Sequence, residues 1–135
     1  MTLYLDLTAA DHLILGLRSG KIRAMKTVAL RPFRHDGVLR ALEAFLQQHK
    51  TQTSKLQSLV VVNGPGRFSS LRVSATIANL FRWFHSCRLY TVQEIREYPR
   101  KSLGYLDVLD ESKKPVKRVQ PFYGRPPSIT KPKRR

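Results

Sequence analysis

Acidic residues are scarce in this chain: 9 Asp and Glu stand against 25 Lys and Arg in 135 residues, a formal net charge of +16. Such an excess favours polyanionic partners through counterion release, RNA first among them. Cysteine occurs once, at Cys87, so no internal disulfide can form, in keeping with a reducing cytoplasm. Its plainest reading is a small buried apolar residue at a helix end. Long apolar runs are missing too: the longest, Leu59 to Val62, is far too short to span a bilayer. The opening MTLYLDLTAADH has no basic stretch followed by an apolar one, so no secretory signal and a cytoplasmic location are expected. There are no internal repeats, no Cys clusters and no His pair at i, i+4, so neither a metal nor another cofactor is expected.

What is present is one domain's length of chain, 41% hydrophobic, with its charge unevenly spread. Residues 113–135 contain Lys113, Lys114, Lys117, Arg118, Arg125, Lys131, Lys133, Arg134 and Arg135 and no acid, which leaves +7 of the +16 on the first 112 residues. These nine are candidate RNA phosphate contacts; the alternative is a solubilising tail.

The hydrophobic periodicity predicts an α/β order. TLYLDL alternates as a first strand, Leu13 to Leu17 makes a second, and Ser19-Gly20 is a hairpin turn leading to a third over Ile22 to Leu30. From Asp36, a candidate N-cap, Val38, Leu39, Leu42, Phe45 and Leu46 recur at three and four, predicting a helix over 36–49. A polar linker, TQTSK, leads to a buried strand at Leu56 to Val62. A Gly-Pro-Gly hinge (Gly64, Pro65, Gly66) and Phe68 follow, then a helix from about Ser69 to Phe84 and a strand at Arg88 to Val92. Weaker strand signals lie at Tyr105 to Leu109 and, interrupted by Pro121, at Val116 to Tyr123. The expected architecture is a mixed five-stranded sheet in the order βββαβαβ with helices packed on it.

The hinge is not a standard nucleotide grip. A Walker loop beginning at Gly64 would need Gly and Lys where Ser69 and Ser70 stand, and a dinucleotide fingerprint would need glycine at Ser69. Pro65 removes one N–H from any phosphate cradle. Two readings remain: an anion site at the helix N-terminus near Arg67 and Arg72, or a sharp turn with Phe68 plugging the core. On the following helix, Val73, Ile77, Leu80, Phe81 and Phe84 form an apolar stripe expected to cover the sheet. Ser70, Ser74 and Ala78, flanked by Ala75, form a smooth row. That row suits either a partner helix at close approach or packing against the first helix.

Three segments resemble the TsaB (YeaZ) family. LYLDLT is similar to its opening strand and D-T-S, with Leu7 in place of Thr; His35-Asp36 and Val38-Leu39 match its helix start; GPGRFSSLR, Gly64 to Arg72, matches its G-P-G-S-F-T-G-L-R signature. Arg67 and Ser70 depart from that signature. VQPFYGRPP resembles the family's closing P-x-Y-x-R segment. The resemblance implies a ribonuclease-H-like lobe of the actin, sugar-kinase and Hsp70 superfamily over residues 1–97. A short extension over 98–123 replaces the second lobe, and a basic tail, expected to be flexible, occupies 124–135.

It further implies a non-catalytic scaffold in tRNA N6-threonylcarbamoyladenosine (t6A) synthesis. The protein would pair with a TsaD-type paralogue through a four-helix bundle, meet a TsaE-type ATPase, reach tRNA through the complex, and pair with a second copy through the same helices when alone. The interface candidates are Leu39 and Glu43 on the first helix and Arg72, Ala75, Ala78, Asn79 and Arg82 on the second. TsaD-type proteins carry a histidine pair just after the fifth strand. Here TVQEIREYP stands there, and His12, His35, His49 and His85 all precede it. Two other classes compete: a free-standing basic RNA-binding protein on this fold, and a nuclease built on Asp6, which would need further carboxylates converging on it.

Overall fold

The computed structural model describes residues 1–9, 11–20, 22–31, 36–64, 66, 68–93 and 115–122. Six strands and two helices follow one another as β1 (Thr2–Asp6), β2 (His12–Ser19), β3 (Ile22–Ala29), α1 (Asp36–Gln48), β4 (Ser58–Gly64), α2 (Phe68–His85), β5 (Arg88–Gln93) and β6 (Pro115–Val116). A single 3-10 turn, Thr53–Lys55, lies in the polar linker before β4.

The strands form one mixed sheet in the order β3-β2-β1-β4-β5-β6. The first three make the expected antiparallel meander, turned at Gly20, whose φ of +59° suits glycine. β4 then pairs in parallel with both β1 and β5. The sheet therefore has six strands where the sequence predicts five. The extra one is short because Pro115 lacks an N–H and only Pro115 and Val116 pair with β5, at Tyr90 and Leu89. The strand signal at Tyr105 to Leu109 falls outside the described residues. So do most of the expected extension 98–123 and the whole tail 124–135.

Alternation along the strands divides the sheet into two faces. Leu3, Leu5, Leu13, Leu15, Leu59, Val61 and Leu89 point to the face that meets both helices and share one core with Val38, Leu42, Phe45 and Leu46 of α1 and Ala75, Ile77 and Ala78 of α2. Tyr4, Val60 and Val62 are buried on the opposite face, packed with Met25, Tyr90 and Val92. Central strands β1 and β4 are buried on both faces, which is why LVVV reads as a continuous apolar run. Among the described residues, no helix is long and apolar enough to cross a membrane.

Candidate functional site: the outer face of α1 and α2

Both hinge glycines are where they are because other backbone passes close by. At Gly64, φ is +136° and a Cβ would run into the Phe122 carbonyl oxygen. At Gly66, a Cβ would meet the backbone of Thr8. Phe68, expected to plug the core, is only half-buried. Pro65 and Arg67 lie outside the described residues. The hinge thus lets α2 start over the ends of β1 and β4 while residues 119–122 cross behind it. Phe122 N–H donates to the Asn63 carbonyl at 2.7 Å, and the Asn63 side-chain amide donates to the Gln120 carbonyl at 3.1 Å.

The packing of α2 decides between the two uses open to its smooth row and leaves part of the expected sheet-facing stripe outside. Ser70, Ser74, Ala75 and Ala78 are buried, with Leu71 and Ile77, so the smooth row faces inward. Small side chains let the helix settle closely on the sheet, and the buried Ser74 hydroxyl is satisfied within its own helix, donating to the Leu71 carbonyl at 3.0 Å. Ala75 and Ala78 are therefore core residues and cannot touch a partner, which corrects their place among the interface candidates. The expected sheet-facing stripe is split: Ile77 is buried, Val73 and Phe81 are half-buried, and Leu80 and Phe84 are open to solvent.

Asn79 needs a second correction, because it already holds this chain, and Arg82 touches the same segment while remaining exposed. Asn79 accepts from the Val119 N–H at 2.8 Å and donates to the Val119 carbonyl at 3.2 Å. Arg82 donates to the Val116 carbonyl at 3.5 Å. These contacts seat Val119 in the core at 2% exposure. The flank of α2 chosen for a partner's helix is occupied by residues 115–122, a return of the chain that spacing within the helix could not reveal.

The remaining side of α2 forms a surface with α1. Leu39 is 61% exposed, Leu80 49%, Trp83 82% and Phe84 71%. An apolar groove of about 520 Å³ runs between the helices, lined by Leu39, Val73, Ile77, Leu80, Phe81 and Phe84, with Arg72 and His85 also at its walls. A second hollow of about 550 Å³ shares Leu39 and Phe81 and continues along α1 past Glu43. Leu39, Glu43 and Arg72, three of the interface candidates, are exposed on this surface. Trp83 was not among the residues singled out in the sequence. Its adjacency to Phe84 was the usable signal, since two bulky neighbours a third of a turn apart cannot both enter a core shared with Ile77 and Phe81.

Chemistry-bearing side chains do not gather elsewhere among the described residues. Asp6 is 2% exposed and accepts from the Thr8 N–H at 2.9 Å and the Thr8 hydroxyl at 2.6 Å. No three His, Cys, Asp or Glu among the described residues converge on a point that could hold a metal. Cys87 is buried with its thiol donating to the Leu56 carbonyl at 3.3 Å, and that burial pushes its pKa up. Of the basic tRNA-contact candidates, Lys117 and Arg118 are exposed; Lys113, Lys114, Arg125, Lys131, Lys133, Arg134 and Arg135 fall outside the described residues.

Comparison with known proteins bears on this lobe. The family described as TsaD, tRNA N6-adenosine threonylcarbamoyltransferase, matches residues 34–99. YeaZ from Pseudomonas aeruginosa superposes with a TM-score of 0.63 at 14% identity, over 69% of this chain and 43% of that one. A crystal structure of an uncharacterized protein with similarity to peptidase YEAZ from Pseudomonas aeruginosa gives a TM-score of 0.63 at 16% identity over the same shares. The match thus spans less than half the length of either structure. No curated protein matches the chain. The fold is YeaZ-like and ribonuclease-H-like, as the sequence resemblance implies.

Proposed function

We propose that this protein is a non-catalytic scaffold that pairs with a TsaD-type paralogue in tRNA t6A modification. The observation that carries this reading is the open apolar face of α1 and α2: Leu39, Leu80 and Phe84 lie exposed along one groove, and Trp83 is exposed on the same helix outside its lining. A soluble surface seldom leaves so much contiguous apolar area open unless something docks on it. Trp is among the side chains most often found at the energetic centre of an interface, and an apolar groove walled by Leu39 on one side and by α2 on the other suits a partner's helix laid into it. The small inner row of α2 takes no part. The chemistry is assigned to the partner, and the chain's contribution is to present a preformed helical platform. Delivery of tRNA to the complex is assigned to the basic surface, of which Lys117 and Arg118 are exposed members.

The test is capture of an affinity-tagged TsaD-type protein by the full chain, repeated with the L80D/W83D double variant. The wild type should co-elute with the partner, and the variant should not, while its thermal unfolding midpoint stays near that of the wild type. Undiminished capture by the variant removes the interface assignment; absence of capture by the wild type removes the pairing. A t6A assay on tRNA with the partner alone, this chain alone and both together addresses the non-catalytic assignment. Modification by this chain alone would contradict it.

A further inference from the structure

We propose that the flank of α2 carrying Asn79 is a binding site for an extended polypeptide segment, filled in this structure by the chain's own residues 115–122 and able to take the same segment in trans. Three contacts hold the segment, and each reads its backbone. Pro115 and Val116 pair antiparallel with Tyr90 and Leu89, which extends the sheet beyond β5. The Asn79 side chain accepts from the Val119 N–H at 2.8 Å and donates to the Val119 carbonyl at 3.2 Å, closing on both sides of one residue. Asn63 accepts the Phe122 N–H on its own carbonyl at 2.7 Å, and its side-chain amide donates to the Gln120 carbonyl at 3.1 Å. Only one side chain of the segment is buried, Val119, while Lys117, Arg118, Gln120 and Phe122 are exposed. Main-chain bonds combined with a pocket for one side chain are the means by which strand addition captures extended peptides: the bonds supply affinity and the pocket supplies selection. The ligand class is therefore an extended segment with a branched apolar residue at the place of Val119.

Two observations mark this occupant as exchangeable. Apart from Val119 and half-buried Val116, every member of the helix-side core lies within residues 1–89. The segment can therefore leave as a unit without drawing a strand or helix of the lobe after it, and a region with so few buried apolar contacts opens well below the cost of global unfolding. The fit is also incomplete. Asn63 Oδ1 is buried with no hydrogen-bond partner among the described residues. Pro121, which follows the Gln120 carbonyl held by that same side chain, has no N–H to offer. An unanswered buried acceptor weakens the hold of this occupant, and would not weaken that of a segment bringing a donor there. Charge does not drive the capture. The segment carries Lys117 and Arg118 and no acid, on a chain of net charge +16, so binding in trans must come from the backbone bonds and the pocket. Neither Asn63 nor Asn79 lines the groove between α1 and α2, and this inference does not depend on the pairing proposed above.

The test is fluorescence anisotropy of an end-labelled peptide of residues 115–122, PVKRVQPF, titrated with the full chain and with its V119D variant, without any partner protein. The substitution sets a charge where a buried valine stands and loosens the internal segment. V119D should bind the peptide saturably. The wild type should bind at least about tenfold more weakly, because its own segment competes at an effective concentration on the order of millimolar. Two altered peptides probe the two halves of the recognition. One carries Val119→Asp and removes the pocket contact; the other is N-methylated at Val119 and removes the N–H that Asn79 accepts at unchanged charge. Each should bind V119D about tenfold more weakly than the parent peptide. Equal binding of the N-methylated and parent peptides would overturn the backbone reading. Equal binding by the wild type and V119D would place the peptide elsewhere on the chain, and no binding by folded V119D would show the segment to be inseparable from the lobe; either overturns the site. Should V119D fail to fold by circular dichroism, V119A replaces it. The peptide should then raise the thermal midpoint of V119A and leave that of the wild type unchanged, and no rise overturns the proposal. Because no partner is present, failure here leaves the pairing untouched.

Discussion

The inward side of α2 mixes small side chains with large apolar ones, and the outward side mixes large apolar side chains with polar ones. Inward lie Ser70, Ser74, Ala75 and Ala78 together with Leu71 and Ile77; outward lie Leu80, Trp83 and Phe84 among Ser69, Arg72, Thr76 and Arg82. The inner side gains from closeness: small residues bring the helix axis down onto β4 and leave room for residues 115–122 beside it. The outer side holds apolar area that nothing among the described residues covers. Part of the stripe that a hydrophobic count assigns to the core, Leu80 and Phe84, thus stays open to solvent while small residues take the inner side.

Substitutions that exchange the characters of the two sides, or cut the contacts between them, sharpen this contrast. The largest effect is expected at the hinge. Gly64→Ala sets a Cβ against the Phe122 carbonyl at a φ of +136° and should cost about 3 kcal/mol, read as a lowered denaturant midpoint. Ala78→Leu, on the fully buried row, should cost about 1–3 kcal/mol through overpacking. Asn79→Ala strands both backbone groups of buried Val119 and should cost about 1–3 kcal/mol, with faster amide exchange over 115–122 as its local signature. By contrast, Trp83→Ala on the outer side should change stability by no more than about 0.5 kcal/mol. A cost for Trp83→Ala as large as that for Ala78→Leu would mean the outer side is part of the core and would end the comparison.

The smallest effect is a pH dependence. Burial raises the Cys87 pKa, so the unfolded chain releases the thiol proton first. Its contribution to stability is complete below the ordinary thiol value and declines as pH rises above it. The companion measurement is alkylation, which should track global unfolding at neutral pH. Rapid modification of the native protein would show that the α2–β5 turn opens locally.

The succession of strands and helices was legible in the sequence, because alternation in TLYLDL and the three-four spacing of Val38, Leu42, Phe45 and Leu46 each admit one period. The GPGRFSSLR junction was placed correctly for the same reason: an apolar run, two glycines and a helical pattern can be joined in few ways. The orientation of α2 was not legible. Periodicity shows which residues share a side, but Ser70, Ser74 and Ala78 gain their inward position from the closeness of β4 and from a segment some forty residues on, and neither leaves a mark within the helix. Asn79 shows the same limit. Its spacing resembled that of a surface residue, and its two bonds to Val119 depend on a contact between positions 40 apart.

That distant contact has a bearing on synthesis. When the ribosome has delivered residues up to about 93, β1 to β5 and both helices are available to assemble. Even then the Asn63 amide, the Asn79 amide and the hollow that receives Val119 still await residues 115–122. Folding of the nascent lobe should pause at that stage with one seam open, and termination before Val119 should yield a polypeptide that quality control recognises and degrades.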